Sequence, residues 1–266
     1  MPVPDHILNA IDSFFDDLWR EMLPNLQSDD PPFAIEIIKG FKVSKILRYG
    51  YTRLAEGDEN LWAYKNWDEC DQAAHLLCPI VVKVLGVLIA ARAEEGDKVE
   101  IAHLWVEPER LVKDRTDDRK QRMRGHTVIV YTLKDGRQRV IDPTRSQFGF
   151  QNVEKSYREY WEAHAPVIPP QPPQLMTFGG HILMMRRLAA RYRSLQQIVF
   201  FYHLFAANAT LTYNKWAKGR IQGGTRALDV LGGGGTVAKG ELLKAMRGST
   251  LRVKEMIDAW EATKKK

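Results

Sequence analysis

The chain has 266 residues, 44% of them hydrophobic and 27% charged, with a net charge of +6. That is long enough for one large domain, or a core with an appendage, and no apolar run reaches the roughly 18 residues that a membrane span needs. Two cysteines, Cys70 and Cys78, make no disulfide framework, and the opening MPVPDHILNA lacks a basic segment followed by an apolar one; a reducing cytoplasm without a secretory leader is the expected setting.

Residues 5–23 predict an amphipathic helix. Ile7, Leu8, Ile11, Phe14, Phe15, Leu18, Trp19 and Met22 recur at three- and four-residue steps, and Pro24 ends the run. A loop at 28–32 follows, then an apolar but irregular stretch at 33–51. Residues 70–85 predict a buried helix, in which Pro79 should introduce a kink because its ring clashes one turn back. Residues 99–106 and 127–133 are β-branched and of strand length. Lys134-Asp135-Gly136 predicts a three-residue hairpin turn, with 137–141 as the returning strand. A helix at 153–164 comes next, then the proline-rich 165–174, read as a stiff connector. Beyond it, 180–213 and 237–263 predict helices around a glycine run at 232–235. The expected domains are therefore 1–164, a connector at 165–175, and a helical region at 176–266.

Charge is unevenly spread. Residues 181–266 hold 16 Lys and Arg against 5 Asp and Glu, while the rest of the chain is net acidic. Arg186, Arg187, Arg191 and Arg193, with Lys215, Lys218 and Arg220 beyond, offer a surface for a polyanion such as tRNA. A solvated basic face is the simpler account of the same charge.

Chemistry concentrates elsewhere. A thiol nucleophile needs its thiolate, which a helix N-terminus and a neighbouring imidazole both favour. Cys70 follows acidic residues and opens an apolar helix, so it should sit in the first turn; Cys78 lies mid-run, as a core cysteine would. In the hairpin, paired residue numbers should sum to 270, which sets Val128 opposite Asp142. His126 then lies two residues along on the same face, within diagonal reach of Asp142. Asp142 would hold one imidazole nitrogen while the other points at the thiol, the logic of a catalytic triad. A second oxyanion donor, beside the Cys70 amide, is expected from Tyr64, Asn66 or Trp67. His75 and His103 read as packing residues. No Cys or His spacing matches a zinc pattern, and the glycine run lacks phosphate-loop spacing, so no metal or other cofactor is expected.

The segments CDQAAHLLCPIVVKVLGV and GHTVIVYTLKDGRQRVIDPT resemble the nucleophile helix and the histidine strand, with its Asp-Pro-Thr ending, of the transglutaminase-like (papain-like) superfamily. The likeness covers residues 67–144. It implies an α/β (α+β) fold in which a nucleophile helix packs on an antiparallel sheet, with Cys70 as nucleophile, His126 as base and Asp142 as orienting acid. The insertion KDRTDDRKQRMR before His126 departs from compact members. The activity implied is cysteine-dependent acyl transfer on an amide, as in a protease, deamidase or transglutaminase. The alternative is amide formation from an activated donor, either aminoacyl-tRNA held by the basic region or acyl-CoA.

Overall fold

The computed structural model describes residues 3–26, 34–39, 42–48, 69–86, 99–109, 111–114, 124–150, 156–221, 231 and 235–264. Within these it is a mixed α+β structure of six α-helices and two antiparallel sheets. Helix α1 (Asp5–Met22) begins after Pro4 and ends in a 3₁₀ turn carrying Pro24. Its apolar stripe, Leu8, Ile11, Phe14, Phe15, Leu18, Trp19 and Met22, is entirely buried. Each such side chain contributes about 1.5–3 kcal/mol when removed from water, so docking rather than helix propensity holds α1 in place.

The stretch at 33–51 forms two strands, β1 (Ala34–Lys39) and β2 (Lys42–Arg48), which join β4 (Leu111–Asp114) in the order β2-β1-β4. A register shift between Ile37 and Ile38 breaks the two-residue period, which is why no clean alternation marks these strands. Helix α2 (Cys70–Leu85) runs through Pro79 over the expected span, and eleven of its residues are buried.

The larger sheet has the order β6-β5-β3-β7 and is antiparallel throughout, from β3 (Val99–Val106), β5 (Arg124–Thr132), β6 (Gln138–Ile141) and β7 (Gln174–Thr177). Ile129 pairs with Ile141 and Thr132 with Gln138, so the hairpin register is the expected one. Gly136 supplies the positive φ, +86°, that the turn requires. Side chains alternate between the faces. Val99, Ile101, Ile129, Tyr131 and Ile141 pack with α1, α2 and the C-terminal helices; Ala102, Leu104, Val128, Val130 and Val140 pack with Phe148, Phe150 and Tyr160.

Helix α3 (Tyr157–His164) is capped by Ser156, whose hydroxyl accepts from the Glu159 amide. After it, residues 165–173 carry no helix or strand. They deliver β7 to the edge of the sheet, so the C-terminal region is joined to the core by strand pairing. The single long helix expected at 180–213 is two: α4 (Phe178–Arg191) and α5 (Arg193–Ile221), separated at Tyr192, whose backbone is extended. Helix α6 (Thr236–Lys264) closes the chain, with Leu242, Met246 and Val253 in the same apolar cluster as α1. None of these helices is long and apolar enough to cross a membrane.

Polar bonds fasten α1 on both sides. Asp12 accepts from Arg139 at 2.5 Å and from the Tyr131 hydroxyl at 2.9 Å, Asp16 pairs with Arg145 at 2.7 Å, and Asp17 pairs with Lys239 of α6 at 2.6 Å. Burial raises the pKa of Asp12 despite the Arg139 charge beside it. Removing one member of such a pair strands the other in a dry site, which costs several kcal/mol. Arg139→Ala should therefore destabilise the fold by about 3 kcal/mol in urea denaturation. Arg158→Ala, at a solvent-exposed pair with Glu162, should leave the midpoint unchanged.

Candidate active site

Strand β5 sends neighbouring residues to opposite faces, and His126 and Thr127 divide the site in that way. His126 turns toward the α3 side, its ring edge-on to Phe148 at 4.7 Å. Its Nε2 lies 2.9 Å from Oδ2 of Asp142, and neither side chain is exposed. Asp142 also accepts from the Tyr160 hydroxyl at 2.6 Å and from the amide and hydroxyl of Thr144, both at 3.2 Å. Burial alone would raise the Asp142 pKa, but the His126 charge and the hydrogen bonds from His126 and Tyr160 hold it below the ordinary carboxylate value. Asp142 accepts from Nε2–H of His126, which leaves Nδ1 as the ring nitrogen that the acid does not use. That atom is buried and has no hydrogen-bond partner among the described residues, the Cys70 thiol included.

Cys70 is the first residue of α2 and is half-buried, while Cys78 is fully buried. The position of its sulfur follows from the ladder. The Leu133 amide bonds the Arg137 carbonyl, so odd-numbered residues of β5 aim their N–H groups at β6. Strand β6 ends at Ile141, opposite Ile129, and the next such N–H, that of Thr127, has no strand to meet. The Cys70 sulfur takes this rung, with the Thr127 hydroxyl also beside it. The thiol thus stands at the margin of the sheet, where its two faces meet.

The thiol is not activated in this state. Desolvation, then the charge of Asp71, raises its pKa well above the usual value, and the Thr127 hydrogen bonds offset this only in part. The helix N-terminus and an imidazole were expected to lower it. Burial and an acidic neighbour outweigh them, and His126 is not bonded to the sulfur.

On the α2 side of β5 a second polar group assembles. The Thr127 hydroxyl donates to Oδ1 of Asp71 at 2.6 Å and meets Nδ1 of His103 at 3.0 Å. Nε2 of His103 lies 3.3 Å from Nδ1 of His181, and Nε2 of His75 lies 3.0 Å from Nδ1 of His203. Burial, then His203 and His181, pushes His75 down to about 3, and burial pushes His181 to about 4. These imidazoles are neutral at pH 7. Asp71, His103 and His181 are the one trio among the described residues that can offer three ligand atoms to a metal ion. Sequence reasoning took His75 and His103 for isolated packing residues and missed Thr127, Tyr160, His181 and His203; only the sheet register and the docking of α4 and α5 bring them together.

Tyr64, Asn66 and Trp67 lie outside the described residues, as does most of the insertion before His126. Of the basic residues, Arg186, Arg187 and Arg191 are exposed on α4, and Lys215 and Lys218 are exposed on α5. Arg193 opens α5, and its side chain is outside the description. Lys215 is 22 residues further along that helix, roughly 33 Å at about 1.5 Å per residue. Arg220 is committed to Glu241 and lies over the Trp216 ring. The named basic residues among those described are thus spread along two helices. Comparison of the chain with protein families, curated proteins and solved structures gave no match.

Two outcomes are expected. Iodoacetamide should modify Cys70 and not Cys78 in the folded protein, and the rate should keep climbing as pH passes about 8.5, where a free thiol begins to level off; peptide mapping at several pH values reads both. The second concerns acid stability. A carboxylate with a depressed folded pKa stabilises the fold above its unfolded value, about 3.9, and that contribution is lost as pH falls through the folded value. Tyr160→Phe removes a donor to Asp142 and moves its pKa back toward ordinary. Its acid loss should be smaller and complete at a higher pH than in the wild type, read from urea midpoints from pH 5 down to about pH 2.

Proposed function

We propose that the protein is a cysteine-dependent acyl-transfer enzyme with a transglutaminase-like core. In this reading a Cys70 thioester forms from an amide, as in a protease, deamidase or transglutaminase. The observation that carries it is the dry His126–Asp142 pair, whose unbonded Nδ1 belongs to the residue next to Thr127, the residue that holds the Cys70 sulfur. Hydrogen bonds of this kind are often unformed without substrate and tighten in the Michaelis complex.

The roles follow. His126 takes the thiol proton as the sulfur attacks the carbonyl carbon, and returns it to the departing amine as the C–N bond breaks. Water or a second amine then attacks the thioester and releases the thiol. Asp142 fixes the tautomer that leaves Nδ1 free and stabilises the imidazolium. The Cys70 amide, at the start of α2, is placed to donate to the developing oxyanion. Amide formation from an activated donor, aminoacyl-tRNA or acyl-CoA, would pass through the same thioester.

Intact mass spectrometry after incubation with peptide amides, acyl-CoA and aminoacyl-tRNA tests the reading. An adduct on wild type that is absent from Cys70→Ala, and whose mass names the acyl group, is the expected result. His126→Ala should abolish its formation. Asp142→Asn should fold and lose about 10⁴ in rate, the scale known for the corresponding change in serine proteases. An adduct that persists in Cys70→Ala would sink the proposal, as would normal turnover by Asp142→Asn.

A further inference from the structure

We propose that Asp71, His103 and His181 form a binding site for a first-row divalent transition-metal ion of the zinc type. Three elements converge on it: the first turn of α2, the middle of β3 and the first turn of α4. One ligand atom from each residue lies within 4.8 Å of the other two. His103 and His181 face each other nitrogen to nitrogen at 3.3 Å. Ligands held tetrahedrally at about 2.0–2.1 Å from a zinc ion are separated by roughly the same distance, about 3.3 Å.

The surroundings are those a metal ligand needs. With Nε2 of His103 given to the ion, its Nδ1–H is left to donate to Thr127, 3.0 Å away, and the Thr127 hydroxyl donates in turn to Asp71 at 2.6 Å. A ligating histidine braced at its second nitrogen, and a carboxylate held by a hydroxyl, make an ordered outer shell. Two imidazoles and one carboxylate suit zinc-like ions over magnesium or calcium, which take oxygen ligands. Three protein ligands leave a fourth position for water.

Burial is graded across the trio. His181 is fully buried, while the side chains of His103 and Asp71 are 21% and 39% exposed, so an ion reaches the site from the Asp71 side. Among the described residues, Nε2 of His181 and Nδ1 of His75 are buried without partners, and the two rings lie 5.8 Å apart; an ion on Nδ1 of His181 leaves both atoms as they are, so the facing nitrogens of His103 and His181 carry the proposal. Imidazoles gathered in a dry layer with unmet nitrogens lose hydration and recover only part of it. The competing account is a chain of hydrogen bonds from His181 through His103 and Thr127 to Asp71, with no ion. The Cys70 thiol is not among the ligand atoms, so the site stands independently of the acyl-transfer proposal.

The test uses the full chain, stripped with a chelator and titrated with Zn²⁺ against a chromogenic competitor, with Co²⁺ absorption as a second reading. About one equivalent should bind, and millimolar Mg²⁺ or Ca²⁺ should not displace it. Asp71→Asn and His181→Gln should each weaken binding at least about tenfold, while Cys70→Ala and His126→Gln should bind as wild type. Circular dichroism checks that each variant is folded; if His181→Gln is not, Asp71→Asn, at a part-exposed position, carries the test. The absence of saturable binding at micromolar Zn²⁺ would overturn the proposal in favour of the hydrogen-bonded chain. So would binding that is lost in Cys70→Ala or His126→Gln and kept in Asp71→Asn, which would place the ion on the thiol and imidazole instead.

Discussion

A carboxylate without water around it must be met from every side, and Asp142 is such a group. Four hydrogen bonds reach it: one from β5 through His126, one from α3 through Tyr160, and two from Thr144 just beyond β6. Each comes from an element that would otherwise be free to shift. The next residue along, Arg145, donates to the Asp142 carbonyl at 3.1 Å and to Asp16 of α1 at 2.8 Å. One guanidinium thus ties the position of the buried acid to the N-terminal helix. The helix answers with Asp12 and Asp16 toward the sheet and Asp17 toward α6. The buried acid orients the His126 ring and holds Tyr160 of α3, while α1 is tied to the same stretch of backbone through Arg145.

Strand β5 is the spine on which two polar groups are built back to back. Period-two alternation sends His126 to one face and Thr127 to the other, and the early end of β6 leaves the Thr127 amide to the Cys70 sulfur. Had β6 run two residues further, a strand carbonyl would have taken that amide and excluded the thiol. The short strand is therefore a feature of the site as well as of the sheet. Thr127 connects the two groups, since it holds the sulfur and also bonds Asp71 and His103.

What could be read from the sequence is what local rules determine. A three-residue hairpin sets the register, and the register brings His126 to Asp142; sixteen residues of chain suffice for that inference. The start of α2 at Cys70 was legible from the acidic residues ahead of an apolar run. Its desolvation was not, because burial of the sulfur depends on where β6 stops and on Asp71 turning inward. His103 and His181 stand 78 residues apart, and His75 and His203 stand 128 apart; no spacing rule joins them until α4 and α5 are docked. The break at Tyr192 carries no glycine or proline to announce it. The run of α2 through Pro79 was legible, and its reason is that although the carbonyl of His75 loses its helical donor, eleven buried side chains outweigh that loss.

The electrostatics also constrain how the proposed chemistry would run. A preformed thiolate–imidazolium pair would place a negative sulfur near two carboxylates, and both Asp71 and Asp142 act to keep the thiol protonated. The acid that would steady the imidazolium during the reaction thus also hinders the nucleophile. Moving the proton from Cys70 to His126 therefore gains little while the charge stays on sulfur. The balance changes once sulfur attacks a carbonyl, because the negative charge passes from sulfur to the substrate oxygen, where the amides at the start of α2 can meet it. Imidazolium and oxyanion are then both met by groups already in place. On the acyl-transfer reading, proton transfer accompanies attack instead of preceding it, and the stabilisation is reserved for the transition state. A raised thiol pKa in the resting state is compatible with this chemistry.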